Sequence, residues 1–175
     1  MKCINVFFVI VFSLLLTSCS EISNYFQDPV VHNDSVIDIY NYSVDEYVAY
    51  DTYYMETSWD YFDKIEQRRE STIQNIKTSI VELNMLDPLK WDSTLIEAAV
   101  ESMKVLISVL ETHDKQLLKL WSDFANDIIT EEEYNIQSQE NLDLATQQLD
   151  EASENFDIVH TVFAKKYWYE LLEVE

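Results

Sequence analysis

Residues 95–128 read LIEAAVESMKVLISVLETHDKQLLKLWSDFANDI, and this stretch decides the fold. Its apolar side chains recur three or four residues apart, with one histidine among them. The positions of this seam are Ile96, Ala99, Met103, Leu106, Leu110, His113, Leu117, Leu120, Phe124 and Ile128. Such spacing places all of them on one face of an α-helix and is typical of coiled-coil packing. We therefore expect a long amphipathic helix that begins at Asp87 or Asp92.

Similar apolar seams lie on both sides of this stretch. Upstream, Ser43 and Glu46 have the spacing of a capping box, and an apolar face then continues to Asp87-Pro88. Its members are Val44, Tyr47, Val48, Met55, Phe62, Ile65, Ile73, Ile76, Ile80 and Leu83. Downstream, Thr130 and Glu133 form a second capping box before a third seam. That seam comprises Leu142, Ala145, Leu149, Ala152, Phe156, Val159 and Phe163.

Three helices joined by short connections must reverse direction at each connection. The sequence therefore predicts an all-α protein, an up-down-up antiparallel three-helix bundle over residues 43–175. A four-helix bundle is the alternative, in which residues 19–42 supply a helix or the long runs break. Otherwise residues 19–42 are predicted to be a tether, because they contain Pro29 and lack a sustained helical period.

Composition agrees with an all-helical chain and excludes some partners. The 175 residues include no glycine, which a sheet protein with many tight turns would need at left-handed positions. Eleven Lys and Arg stand against 33 Asp and Glu, which gives a net charge of -22. Nucleic acid is an improbable partner, because binding phosphates requires clustered cations. The acidic surface keeps the chain soluble or attracts cationic ligands.

The first nineteen residues carry a targeting pattern. Lys2 precedes an apolar run over residues 4–16, which is too short to span a bilayer of about 30 Å, and Leu16-Thr17-Ser18-Cys19 follows. This segment resembles the signal peptide and lipobox of bacterial lipoproteins. The resemblance implies that residues 1–18 are removed and that Cys19 receives acyl chains such as palmitate. Two or three such chains anchor a protein durably to a membrane.

The resemblance also implies a location and a redox state. The chain would lie on the outside of the cytoplasmic membrane, in the cell envelope. Ser20, rather than an aspartate, follows the cysteine, which favours the outer membrane in a Gram-negative cell. Cys3 lies in the segment expected to be removed, so the mature chain would have no disulfide.

Few residues offer catalytic chemistry. His113 lies in a core seam, where a hydrogen-bonded structural role is the ordinary explanation. Asp157 and His160 resemble half of a di-iron motif, but about 22 Å of helix would separate His160 from His113. Serine elbows and phosphate loops require the glycine that this chain lacks. We expect no catalytic residue, no metal and no cofactor.

Aromatic residues crowd the first predicted helix. They are Tyr40, Tyr42, Tyr47, Tyr50, Tyr53, Tyr54, Trp59, Tyr61 and Phe62. In the predicted topology Trp121, Phe124 and Tyr134 reach the same end, near the tether. This end is expected either to be filled as core or to form an aromatic pocket.

Two further patterns qualify the simple bundle. Arg69 interrupts the first seam, and Gln148 and Asn155 lie at about its height, which predicts a polar layer. A second apolar stripe, consisting of Leu144, Ile158, Val162 and Tyr169, runs along the third helix. This stripe widens the internal face, lies under the tether, or binds another chain.

The sequence predicts a lipid-anchored envelope protein that acts without catalysis, as a structural or protein-interaction module. Its partners would be the membrane, an envelope protein or a second copy of the chain. The alternative is a small-molecule carrier or an enzyme, with a pocket at the aromatic end or near His113.

Overall fold

The computed structural model describes residues 27–57 and 61–167. Within these residues the chain is mainly helical, without a strand, which confirms the all-α prediction. The four helices are α1 (Pro29–Glu56), α2 (Phe62–Met85), α3 (Thr94–Val109 and Lys115–Ala125, joined by a π-helical turn, Leu110–Asp114) and α4 (Glu131–Tyr167). The four helices fit the alternative prediction of a four-helix bundle, and the three-helix bundle is not confirmed. No helix within the described part of the chain is long and apolar enough to cross a membrane.

The prediction of a tether is wrong for residues 29–42, because α1 begins at Pro29. The Asp28 carboxylate caps the helix by accepting a hydrogen bond of 2.8 Å from the Val30 N–H. Ser43 is not a cap but lies buried inside α1, where its hydroxyl donates to the Ile39 carbonyl. The apolar period is weak here because part of the buried face is polar, including Asn33 and Ser43.

The first predicted helix is also interrupted, since α1 ends at Glu56 and α2 begins at Phe62. Neither proline nor glycine marks this break in the sequence. Two members of the predicted seam in α1 are solvent-exposed, Val48 by 53% and Met55 by 73%. The seam prediction is correct for α2, where Ile65, Ile73, Ile76 and Leu83 are buried.

The helices alternate in direction. At the N-terminus of α1 the Asn33 side-chain oxygen lies 2.8 Å from His160 Nε2 of α4, and just before α3 Asp92 forms an ion pair with Lys166 of α4. Thus α1 and α3 both begin where α4 ends and run parallel, while α4 is antiparallel to both. Lys77 of α2 pairs with Glu111 of α3.

One hydrophobic core joins all four helices. It includes Val36 and Tyr50 from α1, Ile65 and Ile76 from α2, Leu95, Met103 and Leu110 from α3, and Phe156 and Phe163 from α4. The α3 seam is buried at most positions as predicted, but Ile128 lies beyond the helix end and is 69% exposed. Leu142, predicted to lie on the α4 seam, is 42% exposed, because Asn141 takes the buried position beside it.

The predicted cap at the start of α4 is confirmed. The Glu133 N–H donates to Thr130 Oγ1, and the Thr130 N–H donates to the Glu133 carboxylate at 2.8 Å. Of the two caps considered for α3, Asp92 is the one that acts, since its carboxylate accepts from the Thr94 N–H at 3.0 Å.

Candidate ligand-binding cleft

A π-helical turn over Leu110–Asp114 interrupts α3 near its middle. Turns of this kind are rare and occur frequently at functional sites. Arg69 of α2 is buried and donates from Nη1 to the Leu110 carbonyl at 2.9 Å. Its Nε and Nη2 donate to the Glu66 carboxylate at 2.8 and 2.6 Å. Arg69 therefore holds the backbone at the start of the π-helical turn.

These contacts correct the predicted polar layer. Arg69 is buried in mid-bundle as expected and finds partners there, but those partners come from α2 and α3. Gln148 and Asn155 do not take part, because both are exposed on α4.

The π-helical turn places Asp114 in a cleft between α1, α3 and α4, with a volume of about 460 Å³. Its polar groups include those of four tyrosines and two aspartates: Tyr47, Tyr50, Tyr54, Tyr134, Asp51 and Asp114. Leu117 and Ala145 contribute apolar surface. Aromatic and apolar walls with a few convergent polar groups are typical of small-molecule sites.

The two carboxyl groups of the cleft have perturbed titration. Burial above all, and then the neighbouring Asp51, raise the pKa of Asp114 to about 7, against the opposing effect of the Arg69 guanidinium. Burial also raises the pKa of Asp51. Asp114 therefore changes charge near neutral pH, as groups at functional sites often do.

The tyrosine hydroxyls remain protonated, because burial raises the pKa values of Tyr47, Tyr50 and Tyr54. Tyr50 is 1% exposed, and its hydroxyl has no hydrogen-bond partner among the described residues. The Ser138 hydroxyl, which also lines the cleft, lacks a partner there as well. An unsatisfied buried polar group costs about 1–3 kcal/mol, which a bound ligand could offset.

The side chains of the cleft suit an organic cation. Tyrosine ring faces attract cations, and two carboxylates add negative charge beside them. No group of three or more His, Cys, Asp or Glu side chains that could hold a metal exists within residues 27–57 and 61–167.

His113 lies on the side of the π-helical turn that faces α4. Its Nδ1 is 2.8 Å from Asn141 Oδ1, and the Asn141 amide donates to the His113 carbonyl. Its Nε2 is 3.1 Å from the Gln148 amide nitrogen. These contacts confirm the predicted register, which puts His113 level with Ala145, and they show that its side chain is hydrogen-bonded as expected.

His160 is far from His113 along α4, as predicted. Its Nε2 contacts Asn33, its ring stacks on Phe156 at 5.8 Å, and burial lowers its pKa. Asp157, the other half of the motif, is exposed. Neither residue belongs to a group of three or more His, Cys, Asp or Glu side chains that could hold a metal within the described part of the chain.

The aromatic clustering predicted from the sequence leads to the cleft, although not every member joins it. Phe62 stacks with Trp121 at 5.9 Å and Phe124 with Tyr134 at 5.2 Å. Elsewhere Tyr40 stacks on Phe156 at 4.1 Å. Tyr42 is 51% exposed, and Trp59 lies outside the described residues.

The predicted location of this aromatic end is wrong. Because α1 extends from Pro29, Tyr50 lies about 30 Å along the helix from its start. The aromatic end is therefore distant from the place where the chain enters the bundle. Sequence reasoning also missed Asp51 and Asp114, for which the neighbouring tyrosines and His113 were the available signals.

The second apolar stripe of α4 does not widen the internal face. Leu144, Ile158 and Val162 are 54%, 54% and 59% exposed. Tyr169, Cys19 and the predicted leader over residues 1–18 lie outside the described residues.

Comparison with protein-family models, curated proteins and solved structures found no match to this chain.

Proposed function

We propose that this chain is a lipid-anchored cell-envelope protein that binds a small organic cation, an amine or a quaternary ammonium, in the tyrosine cleft. The anchor rests on the resemblance of Leu16-Thr17-Ser18-Cys19 to a lipobox. The binding function rests on one observation above all. Tyr50, whose buried hydroxyl has no hydrogen-bond partner among the described residues, lines the same cleft as Asp51 and Asp114.

The charges of the cleft support this ligand class. An ammonium group about 4 Å from a carboxylate is attracted by about 4 kcal/mol at the effective dielectric typical of such sites. Contact with tyrosine rings adds about 0.5–2 kcal/mol. An anion would face two carboxyl groups, and a neutral apolar ligand would leave the polar groups unsatisfied.

We propose binding without catalysis. Among the described residues neither histidine nor cysteine lines the cleft, and its polar groups are tyrosine, serine, threonine and aspartate side chains. A nucleophile beside an oriented base, the usual sign of covalent catalysis, is not part of this arrangement.

Isothermal titration calorimetry tests the proposal with choline, ethanolamine and putrescine as probes, and acetate and glucose as controls. At least one cation should bind, and Asp114→Asn should weaken it tenfold or more. Tyr42→Phe, on an exposed tyrosine outside the cleft, serves as the matched control. Equal affinity for parent and Asp114→Asn, or binding of none of the cations, would refute the cleft as a cation site.

Binding should also depend on pH, because a cation prefers ionised Asp114. Affinity should rise between pH 6 and pH 8, through the pKa of about 7. Below neutral pH, binding should release a proton, which titration in buffers of different ionisation enthalpy would measure.

A second candidate function, protein interaction, is favoured by the exposed stripe of α4. Ile158 and Val162 lie in a shallow groove together with Asp150, Glu154 and Asp157. Such a surface suits a partner chain with apolar side chains flanked by cations. The variant Ile158→Glu with Val162→Glu should abolish capture of such a partner without altering cation binding.

A further inference from the structure

The connection between α2 and α3 contains a turn whose backbone conformation is energetically unfavourable for the lysine and tryptophan that form it. Lys90 has φ 49° and Trp91 has φ 70°, both in the left-handed region. The Asp92 N–H closes the turn by donating to the Leu89 carbonyl at 2.8 Å. Two consecutive positive φ values are typical of turns formed by asparagine and glycine. This chain has no glycine, and the turn exposes Trp91 by 68%.

The surrounding structure fixes this turn from both sides. Leu89 is fully buried, and its carbonyl accepts from the Tyr167 hydroxyl at 3.4 Å. The Asp92 carboxylate accepts from Thr94 Oγ1 at 2.6 Å, from the Tyr167 hydroxyl at 3.0 Å and from Lys166. Burial alone would raise the pKa of Asp92, but these hydrogen bonds outweigh it and lower the pKa to about 2. Strained backbone held in this way is frequent at functional sites.

Other exposed apolar residues and cations lie at the same end of the bundle, which we call the entry end. It comprises the start of α1 at Gln27 and Pro29, the Leu89–Asp92 turn and the end of α4. Val31 is 61% exposed and Met85 78% exposed. Lys90 is exposed in the turn and Lys165 is exposed near the end of α4, where Lys166 pairs with Asp92. Tryptophan with flanking lysines is the composition of membrane–water interfaces.

The chain outside the described residues leads to this end. Gln27 contacts His32 in the first turn of α1, with the two side-chain nitrogens 3.3 Å apart. If Cys19 is anchored, the eight residues from Cys19 to Gln27 span at most about 28 Å. The anchor would therefore hold the entry end, and not the cleft, next to the lipid surface.

We propose that the Leu89–Asp92 turn inserts Trp91 into the headgroup region of an anionic membrane, with Lys90 and Lys165 beside the lipid phosphates. This inference rests on the proposed anchor at Cys19. It adds a second, protein-made contact that orients the bundle, so that the cleft faces away from the membrane.

Quenching by brominated lipids tests the proposal. The protein is placed in phosphatidylglycerol–phosphatidylcholine vesicles in two forms: the acylated chain from membranes, and a chain starting at Cys19 coupled through its thiol to a maleimide lipid. Brominated acyl chains should quench part of the tryptophan fluorescence. Trp91→Phe should remove at least half of that quenching, whereas Trp121→Phe, in α3 beyond the π-helical turn, should remove much less.

The two forms separate failure of the anchor from failure of the docking. If only the coupled chain stays on the vesicles and its Trp91 is quenched, the acylation of Cys19 is wrong but the docking surface is supported. If either chain stays on the vesicles and Trp91→Phe leaves the quenching unchanged, the docking is refuted. Circular dichroism of Trp91→Phe should match that of the parent, because Trp91 is exposed and contributes little to the core.

Discussion

The Asp114→Asn variant should be more stable than the parent at alkaline pH, although it removes a negative charge that the Arg69 guanidinium attracts. The pKa of Asp114 rises from 3.8 to about 7 in the folded chain. The folded state therefore prefers the protonated carboxyl, whereas the unfolded state ionises above pH 4. Stability contributed by this group is complete below pH 3.8 and is lost as the pH rises to about 7. Asparagine, which stays neutral, avoids the loss.

The magnitude follows from the shift. About three pKa units at about 1.36 kcal/mol each set an upper limit of about 4 kcal/mol. Water in the open cleft screens the charge, so we expect about 1–3 kcal/mol at pH 8 and less than half of that at pH 5. For a domain of this size the gain at pH 8 corresponds to a melting temperature higher by about 2–10 °C.

Urea unfolding followed by circular dichroism at pH 5, 6, 7 and 8 measures this difference. Burial lowers the pKa values of His32 and His160. Because both residues are present in both chains, their effect on the free energy of unfolding cancels when the variant is compared with the parent at the same pH. Asp150→Asn, on the exposed face of α4, is the matched control for the removal of one carboxylate. A gain for Asp114→Asn that is constant from pH 5 to pH 8, or a loss of stability at pH 8, would contradict the assigned environment of Asp114.

Three further variants test the other parts of the structure. Arg69→Met should destabilise the fold by about 2–3 kcal/mol in urea unfolding and weaken cation binding, because the π-helical turn loses its side-chain donor. Tyr50→Phe should leave stability unchanged or raise it by up to about 1 kcal/mol while lowering affinity for the cation in calorimetry, since it deletes an unpaired hydroxyl. Ile158→Glu with Val162→Glu should change stability by no more than about 0.5 kcal/mol per site, because both side chains are exposed.

For each of these variants, one result would contradict the expectation. Normal cation affinity in folded Arg69→Met would show that the π-helical turn does not organise the cleft. A large loss of stability in Tyr50→Phe would mean that the hydroxyl has a partner in the folded chain. A marked fall in the melting temperature of the double glutamate variant would place Ile158 and Val162 in the core.

Local periodicity was sufficient to predict much of the molecule. The α3 seam up to Leu120 and the cap formed by Thr130 and Glu133 depend on neighbours within one or two turns, and both are as predicted. The register of His113 against α4 followed from the position of the turn between the two helices. These features require no knowledge of distant contacts.

The features that the sequence did not reveal depend on contacts between helices. The first half of α1 is stabilised by burial of a partly polar face, so its hydrophobic period is weak. The π-helical turn leaves the spacing of apolar residues almost unchanged and is held by Arg69 from another helix. Asp51 and Asp114 are far apart in the chain, and only this packing brings them into one cleft.

The π-helical turn also bears on how the protein can change by mutation. Thr94–Val109 packs against the other three helices, whereas Lys115–Ala125 packs mainly on α4. A π-helical turn has one residue more than the α-helix it replaces. Loss of one codon within residues 110–114 would restore regular α-helix with Lys115–Ala125 still facing α4, and would remove the widened turn that places Asp114 in the cleft. In-frame deletions that unfold most helical bundles would at this position instead remodel the cleft, so length variation here is a route by which its specificity can diverge.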